Sequence, residues 1–275
     1  MSLRIYFIRH GETIYSQTGG YCGSIDPELT DAGHEMAHAF AEAYKSLPWK
    51  AIYCSPMKRT IATAKPLCEA TGIEMKLRDG LKEIAYGEWE GQTPEYVNEH
   101  FNADYVRWLT EPAWNPPTGG ETAVQIASRA SLVIAEIEQN YPDGNVLVVS
   151  HKATIRVLLC SLLGIDLGRY RDRIDMPAAS VSVVQFDVHG PMLQALGGSA
   201  VLSFSQAATQ IITVKDNLTR LKVTAEALGI QSLTVQSYLE AVGVVAAHRA
   251  GVHPTALSPN LPAIQPLEQS REQSS

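Results

Sequence analysis

The sequence LRIYFIRHGE at residues 3–12 places an apolar run rich in β-forming residues directly before a polar turn. A continuous apolar run of this kind is typical of a strand that is buried on both faces of a sheet. Such a strand delivers the residues that follow it to one edge of the sheet. The pattern therefore predicts a central strand with His10 immediately beyond its carboxyl end.

The same combination of strand and polar turn occurs twice more along the chain. Residues 51–54 predict a short strand before Ser55, and residues 145–149 predict a strongly apolar strand that ends at Ser150 and His151. Other β-rich and helical patterns complete an alternation that predicts an α/β fold, a three-layer α/β/α sandwich with a mostly parallel central sheet. They comprise strands at 181–186 and 192–196, and helices between 30 and 48 and at 57–70, 122–140 and 153–163.

Polar turns that follow parallel strands meet at one edge of the sheet, where open α/β folds bind their ligands. We therefore expect the side chains after the three strands to lie near one another. Position alone does not identify a catalytic site, because a single histidine after a strand is more often a hydrogen-bonded structural residue.

The charge of the chain excludes several classes of partner. The whole sequence has 22 basic and 29 acidic residues, a net charge of -7. Residues 1–197 hold 17 of the basic and 24 of the acidic residues, so this part of the chain carries all of the net charge. A chain with this balance offers no extended basic surface for a nucleic acid and no polybasic face for anionic lipids. Basic residues that converge on a pocket are then expected to bind a small anion.

The cysteine pattern and the hydropathy indicate a cytoplasmic protein. The four cysteines lie far apart, without a CxxC pair or a metal-ligand spacing, which is typical of reduced thiols rather than a zinc site. No apolar run has the length of a membrane-spanning helix, and no signal peptide is recognisable at the first residues. We expect no metal and no cofactor.

Five motifs occur in the order that is typical of one family. They are RHGET at 9–13, SPMKRTIATA at 55–64, LKEIAYGEWEG at 81–91, GGET at 119–122 and VVSH at 148–151. Together they resemble the histidine phosphatase superfamily, in the branch that contains the cofactor-dependent phosphoglycerate mutases. The resemblance covers about residues 3–197 and implies a catalytic domain at 1–198.

The resemblance implies catalytic roles for five residues. His10 becomes transiently phosphorylated, Arg9 and Arg59 bind the phosphoryl group, Glu83 donates the proton to the leaving group, and His151 is the second catalytic histidine. The residues expected to contact the substrate, a small phosphorylated metabolite, are Arg9, Arg59, Cys22, Gly23 and His151.

The chemistry of phosphoryl transfer suits this set of residues. The transferring group spreads negative charge over three oxygens, so positioned positive donors such as the guanidinium groups of Arg9 and Arg59 stabilise it. A neutral imidazole nitrogen of His10 can attack phosphorus, and a protonated His151 is expected to stabilise the same oxygens. Burial and nearby phosphate charge can keep the Glu83 carboxyl group neutral until it protonates the leaving oxygen.

Two alternatives remain open. A phosphoglycerate mutase needs additional cations for the substrate carboxylate, and residues 84–118 contain Arg107 as their only basic residue. Six acidic residues in that segment predict a pocket lid that repels a carboxylate, and so favour a phosphatase: Glu88, Glu90, Glu95, Glu99, Asp104 and Glu111. The second alternative, a non-catalytic regulatory module, is disfavoured because every catalytic motif is intact.

The resemblance does not reach the end of the chain. Residues 199–252 predict a possible helical extension with two weakly amphipathic helices, which is either packed on the catalytic domain or available for homo-oligomer formation. The proline- and serine-rich residues 253–275 predict a disordered tail.

Overall fold

The computed structural model describes residues 2–199, which form a six-stranded sheet with helices on both faces. The spatial order of the strands is β3-β2-β4-β1-β5-β6. Their bounds are β1 Leu3–Arg9, β2 Trp49–Cys54, β3 Met75–Leu77, β4 Gly144–Ser150, β5 Ser180–Asp187 and β6 Gly190–Ser199. Strands β3, β2, β4 and β1 are parallel, whereas β5 and β6 are antiparallel to their neighbours.

Helices of very different lengths connect the strands. Four long helices carry most of the packing: α2 Asp31–Tyr44, α3 Lys58–Thr71, α6 Ala123–Asn140 and α7 Lys152–Leu163. Four shorter helices lie in the connections: α1 Ile14–Thr18, α4 Pro94–His100, α5 Asn102–Thr110 and α8 Tyr170–Arg173. None of the helices within residues 2–199 is long and apolar enough to cross a membrane.

Two hydrophobic clusters on opposite faces of the sheet create the three layers. Alternate strand residues such as Phe7 and Val148 pack with helices α6 and α7, while Ile8 and Val149 pack with α2 and α3 on the other face. Since successive side chains of a strand point to opposite faces, a buried central strand needs apolar residues at nearly every position. The observed arrangement confirms the predicted three-layer α/β/α fold with a mostly parallel sheet.

The sequence patterns did not predict strand β3 or the short helices α4 and α5. Strand β3 has only three residues, too few for a periodic pattern. Helix α4 does begin with a recognisable signal, Thr93 as the N-cap followed by Pro94. Together α4 and α5 bring Val97 and Trp108 into a small third cluster with Tyr21 and Trp89, beside the connection from β1.

The predicted helical extension at 199–252 and the predicted tail at 253–275 lie outside the described residues, apart from Ser199 at the end of β6. The boundary of the predicted catalytic domain at residue 198 stays a prediction.

Two glycines allow the turn after β1 to pack against the start of α2. A Cβ atom on Gly11 would overlap the carbonyl oxygen of Gly33, and a Cβ on Gly33 would overlap the carbonyl oxygen of Glu12. Both obstructing atoms belong to the backbone, so a side-chain rotation cannot relieve the overlap. This close approach holds the segment that carries His10.

The substitution Gly33→Ala is expected to lower the free energy of unfolding by about 2 kcal/mol or more, because the backbone must shift to admit the methyl group. Chemical denaturation of the purified variant measures the change. Gly72→Ala is the matched control: Gly72 has φ 70° with open space around it, so only conformational strain of about 1 kcal/mol applies. An equal loss in both variants would contradict the packing argument.

Candidate active site

The register between β1 and β4 brings two histidines together. The parallel pairing aligns Arg9 with Ser150, so that His10 and His151 follow at the same level, and the N–H of His10 donates to the carbonyl of Ser150 at 3.0 Å. The two imidazole ring centroids lie 5.3 Å apart. Both side chains are buried, and that of His151 is completely buried.

A hydrogen bond fixes the tautomer of His10. Its Nδ1 lies 2.7 Å from the carbonyl oxygen of Gly11, which can only accept, so Nδ1 carries the proton and Nε2 keeps its lone pair. Burial lowers the pKa of His10 well below its ordinary value of 6.5, and the positive charges of Arg9 and Arg59 lower it further. His10 is therefore a neutral imidazole with an unprotonated Nε2.

His151 is also neutral, with the opposite tautomer. Its Nδ1 accepts from Nε of Arg59 at 3.2 Å, and its Nε2 donates to Oγ of Ser55 at 2.8 Å. Burial is the main cause that lowers the pKa of His151 well below 6.5, followed by the charge of Arg59. A protonated His151 was expected beside the transferring phosphoryl group; in the phosphate-free pocket, burial and then the charge of Arg59 keep the imidazole neutral.

Arg59 lies in the first turn of α3 and holds the loop opposite. Its Nη1 donates to the carbonyl of Ile25 at 2.8 Å, its Nη2 donates to that of Gly23 at 3.1 Å, and Asp26 lies 3.4 Å from Nη1. The side chain is almost completely buried. These bonds use most of its five N–H groups, so the guanidinium is fixed in orientation before any ligand binds.

Arg9 ends β1 and reaches the other side of the same pocket. Its Nη1 donates to the carbonyl of Met176 at 2.8 Å, and its buried Nε has no partner within residues 2–199. Burial lowers the pKa of Arg9 to about 10, with Arg156 and Arg59 contributing and Glu83 opposing. At neutral pH, Arg9 is a partly buried cation with hydrogen-bonding capacity to spare.

Glu83 is buried at the amino end of α7. Its Oε1 accepts from the N–H groups of Ile84 at 3.0 Å and Thr154 at 3.2 Å, and its Oε2 accepts from the N–H of Ala153 at 3.2 Å. Arg129 of α6 donates to the carbonyl of Glu83 at 3.2 Å and so supports the loop. The Thr154 hydroxyl donates its single proton to the carbonyl of Lys82 at 2.6 Å. Oε1 therefore accepts from two backbone N–H groups and Oε2 from one, so Oε2 is the oxygen with a lone pair to spare.

Glu90 organises the loop at 23–25, a role that the sequence analysis missed. Its carboxylate accepts from the N–H groups of Gly23, Ser24, Ile25 and Tyr86 at 2.7 to 3.3 Å. A carboxylate with four backbone donors belongs to the scaffold. The only sequence signal was its place in the third motif.

The two remaining predicted substrate contacts occupy different positions. Cys22 lines the cavity beside His10, and burial raises the pKa of its thiol to about 11, so it is an uncharged part of the wall. Gly23 does not line that cavity; its N–H donates to Glu90 and its carbonyl accepts from Arg59. A Cβ at Gly23 would overlap the carbonyl of Ile84, so the position needs glycine for packing.

Two adjoining cavities open at this edge of the sheet. The inner cavity, of about 80 Å³, is lined by His10, Arg9, Arg59, Glu83 and Cys22 among others. The outer cavity, of about 290 Å³, shares part of this lining. The shared residues are Arg9, Tyr15, Ser16, Gly20, Tyr86 and Lys152.

The prediction that acidic residues of segment 84–118 form a lid over the pocket is wrong. None of the six acidic residues of segment 84–118 lines either cavity. Glu88, Glu95 and Glu99 are exposed, Asp104 accepts a hydrogen bond from Thr118, and Glu111 accepts from the N–H of Ala113. The repulsion that was expected to exclude a carboxylate-bearing substrate therefore has no structural basis.

Comparison with protein families gives two matches. The model of the histidine phosphatase superfamily (branch 1) matches residues 5–198. The model of a protein of unknown function (DUF3326) matches residues 170–258. The first match includes every residue of the site described above.

Curated relatives include two phosphatases. Phosphoserine phosphatase 1 of Hydrogenobacter thermophilus is 33% identical over 168 residues, which are 61% of this chain and 80% of that protein. Glucosyl-3-phosphoglycerate phosphatase of Mycobacterium tuberculosis is 29% identical over 175 residues, 61% of this chain and 78% of that protein. The similarity thus extends over most of both relatives.

Solved structures share the fold. Mycobacterial hydrolase 1 superposes with a TM-score of 0.68 at 26% identity, covering 72% of this chain and 100% of that one. The native mycobacterial glucosyl-3-phosphoglycerate phosphatase has a TM-score of 0.66 at 26% identity, with coverage of 72% and 100%.

Both imidazoles are expected to stay neutral in the phosphate-free protein from about pH 8 down to about pH 6, because their pKa values are lowered well below 6.5. Long-range ¹H–¹⁵N NMR of histidine-labelled protein should place the proton on Nδ1 of His10 and on Nε2 of His151. Below about pH 6.5 the imidazoles of the unfolded chain bind protons, whereas those of the native protein do not. The free energy of unfolding is therefore expected to fall as the pH falls below that value.

The same spectra in denaturant, where both imidazoles are solvated, provide the reference titration. A midpoint near the reference value for either residue in the folded protein would contradict the electrostatic argument. Added vanadate or phosphate should raise the pKa of His151, because the anion offsets the neighbouring guanidinium charges.

Proposed function

Because the chain belongs to branch 1 of the histidine phosphatase superfamily, we propose that it hydrolyses small phosphate monoesters through a phosphohistidine on Nε2 of His10. The observation that carries the proposal is the tautomer of His10, which leaves Nε2 unprotonated beside two guanidinium groups. Arg9 and Arg59 then bind the phosphoryl oxygens. The named phosphatases among the relatives support hydrolysis over the mutase alternative.

The first half-reaction transfers the phosphoryl group to the enzyme. The lone pair of His10 Nε2 attacks phosphorus, an N–P bond forms, and the bond from phosphorus to the ester oxygen breaks. That oxygen takes the proton held by Glu83 on Oε2 and leaves as the free alcohol. The hydrogen bond from His10 Nδ1 to Gly11 stabilises the positive charge that develops on the imidazole.

The second half-reaction restores the enzyme. The Glu83 carboxylate takes a proton from a water molecule, whose oxygen attacks phosphorus as the N–P bond breaks. Inorganic phosphate leaves, the electron pair returns to Nε2, and Glu83 again carries the proton. Neutral His151 maintains the orientation of Arg59 in the empty site, and gains a proton only as phosphate charge accumulates.

The proposed compartment is the cytoplasm. All four cysteines lie in the part of the chain that the structure describes, and all are free thiols: Cys22, Cys54, Cys68 and Cys160. Free thiols are typical of a reducing compartment.

Substitution His10→Ala is expected to lower kcat for p-nitrophenyl phosphate by about 10⁴-fold or more, because the nucleophile is lost. Acid-labile phosphate should accumulate on His10 of the unchanged protein in rapidly quenched turnover, as detected by mass spectrometry. His189→Ala, in the exposed turn between β5 and β6, is the control and should retain full activity. Phosphate on a serine, or activity lost with EDTA and restored by a divalent ion, would overturn the mechanism.

Substitution Glu83→Gln should slow esters of poor leaving groups by about 10²-fold or more, while p-nitrophenyl phosphate loses less, because p-nitrophenolate leaves with little proton assistance. Steady-state kcat values for glycerol 3-phosphate and p-nitrophenyl phosphate measure the difference. The exposed Glu88→Gln is the matched control in the same motif. Equal losses on both esters in the Glu83 variant would assign the proton transfer to another group.

A further inference from the structure

The outer cavity has a strongly positive lining on a chain whose net charge is -7. Arg9, Lys152, Arg156 and Arg171 line it, and no aspartate or glutamate of the described residues does. Of these four, Arg9 and Lys152 also line the inner cavity. Arg156 and Arg171 line the outer cavity alone and have no part in the reaction proposed above.

Arg156 is a nearly buried cation with little to neutralise it. Its side chain is 11% exposed, and its Nε is buried without a hydrogen-bond partner within residues 2–199. The nearest carboxylate is that of Asp175, at 3.9 Å, on a side chain that is 90% exposed. Burial of an unsatisfied charged donor costs free energy, and an anion bound in the cavity would recover it.

Arg171 is held in a fixed position by stacking. Its guanidinium carbon lies 3.6 Å from the centre of the Trp108 ring, and Trp108 is itself buried in the cluster with Tyr21 and Trp89. Stacking uses the face of the guanidinium and leaves its N–H edge available. No ion pair of the Arg171 side chain occurs among the described residues.

The cations also repel one another. Burial lowers the pKa of Lys152, and the charges of Arg156 and Arg9 lower it further. Lys152 and Arg156 are four residues apart on α7, so both lie on the same face of the helix. A second negative charge on a bound molecule would relieve this repulsion.

We propose that the outer cavity is a second anion site, in which Arg156 and Arg171 bind a carboxylate of a substrate whose phosphate occupies the inner cavity. The inference rests on the proposed function and narrows its substrate class to small phosphate monoesters that also carry a carboxylate. A planar carboxylate matches the donor geometry of a guanidinium group. Six residues line both cavities, so the two sites adjoin, as a single substrate that occupies both requires.

A matched pair of substrates isolates the carboxylate. 3-Phosphoglycerate and glycerol 3-phosphate have the same three-carbon chain. The first carries a carboxylate at the end opposite the phosphate, and the second carries a hydroxymethyl group there. We expect kcat/KM for phosphate release to be about tenfold or more higher for 3-phosphoglycerate, the size of effect given by a hydrogen bond to a charged group. p-Nitrophenyl phosphate reports the phosphatase reaction itself.

Variants of the two arginines test the assignment. Arg156→Gln and Arg171→Gln are each expected to lower the ratio of the two kcat/KM values about tenfold, and Arg156→Lys should restore part of it. Arg173→Gln, an exposed arginine outside the cavity lining, removes the same charge and should leave the ratio unchanged. Circular dichroism of each variant verifies folding. Arg156 lies on α7 and Arg171 on α8, so the two substitutions test the assignment on separate helices.

The outcomes separate this inference from the proposed function. Absence of hydrolysis for all three esters would refute the proposed function itself. Hydrolysis of p-nitrophenyl phosphate with no preference for 3-phosphoglycerate, or a preference that survives both arginine substitutions, would overturn the second anion site alone. A sugar bisphosphate without a carboxylate that reacts as well as 3-phosphoglycerate would overturn the carboxylate assignment.

Discussion

The parallel pairing of β1 with β4 determines where the chemistry can occur. The pairing aligns Arg9 with Ser150, so the two strands deliver His10 and His151 to the same level of one sheet edge. A slip of one residue would turn every side chain of β1 to the opposite face. Such a slip would exchange side chains between two close-packed clusters, one with α6 and α7 and the other with α2 and α3. The packing of both faces thereby fixes the distance between the imidazoles.

Burial and neighbouring positive charge together control the protonation of both histidines. Burial is the largest cause that lowers the pKa of His10, and the guanidinium groups of Arg9 and Arg59 lower it further, which keeps its nucleophilic nitrogen free of a proton. Arg59 is tolerated in the interior because two carbonyl groups and His151 accept its N–H groups. The phosphoryl site is therefore organised before a ligand enters, which lowers the cost of reorganisation during the reaction.

Net charge and pocket charge have opposite signs in this protein. Acidic residues dominate the chain, yet the outer cavity is lined by basic side chains from β1, α7 and α8. The acidic residues of segment 84–118 bind backbone N–H groups or polar side chains, or face solvent, as Glu90, Asp104 and Glu88 illustrate. A local excess of charge in the sequence thus gives no direct measure of the potential inside a pocket.

The sequence by itself determined the three-layer fold and the motif that ends β1, because hydrophobic periodicity and polar turns are local properties of the chain. Through the family resemblance it also singled out residues that line the inner cavity, among them His10, Arg9, Arg59, Glu83 and Cys22. Only the tertiary structure decided the tautomers of the two histidines, the scaffold role of Glu90, and the convergence of Arg156 with Arg171. Those features depend on contacts between segments distant in sequence, and no local pattern records which hydrogen-bond partner or neighbouring charge a side chain will meet.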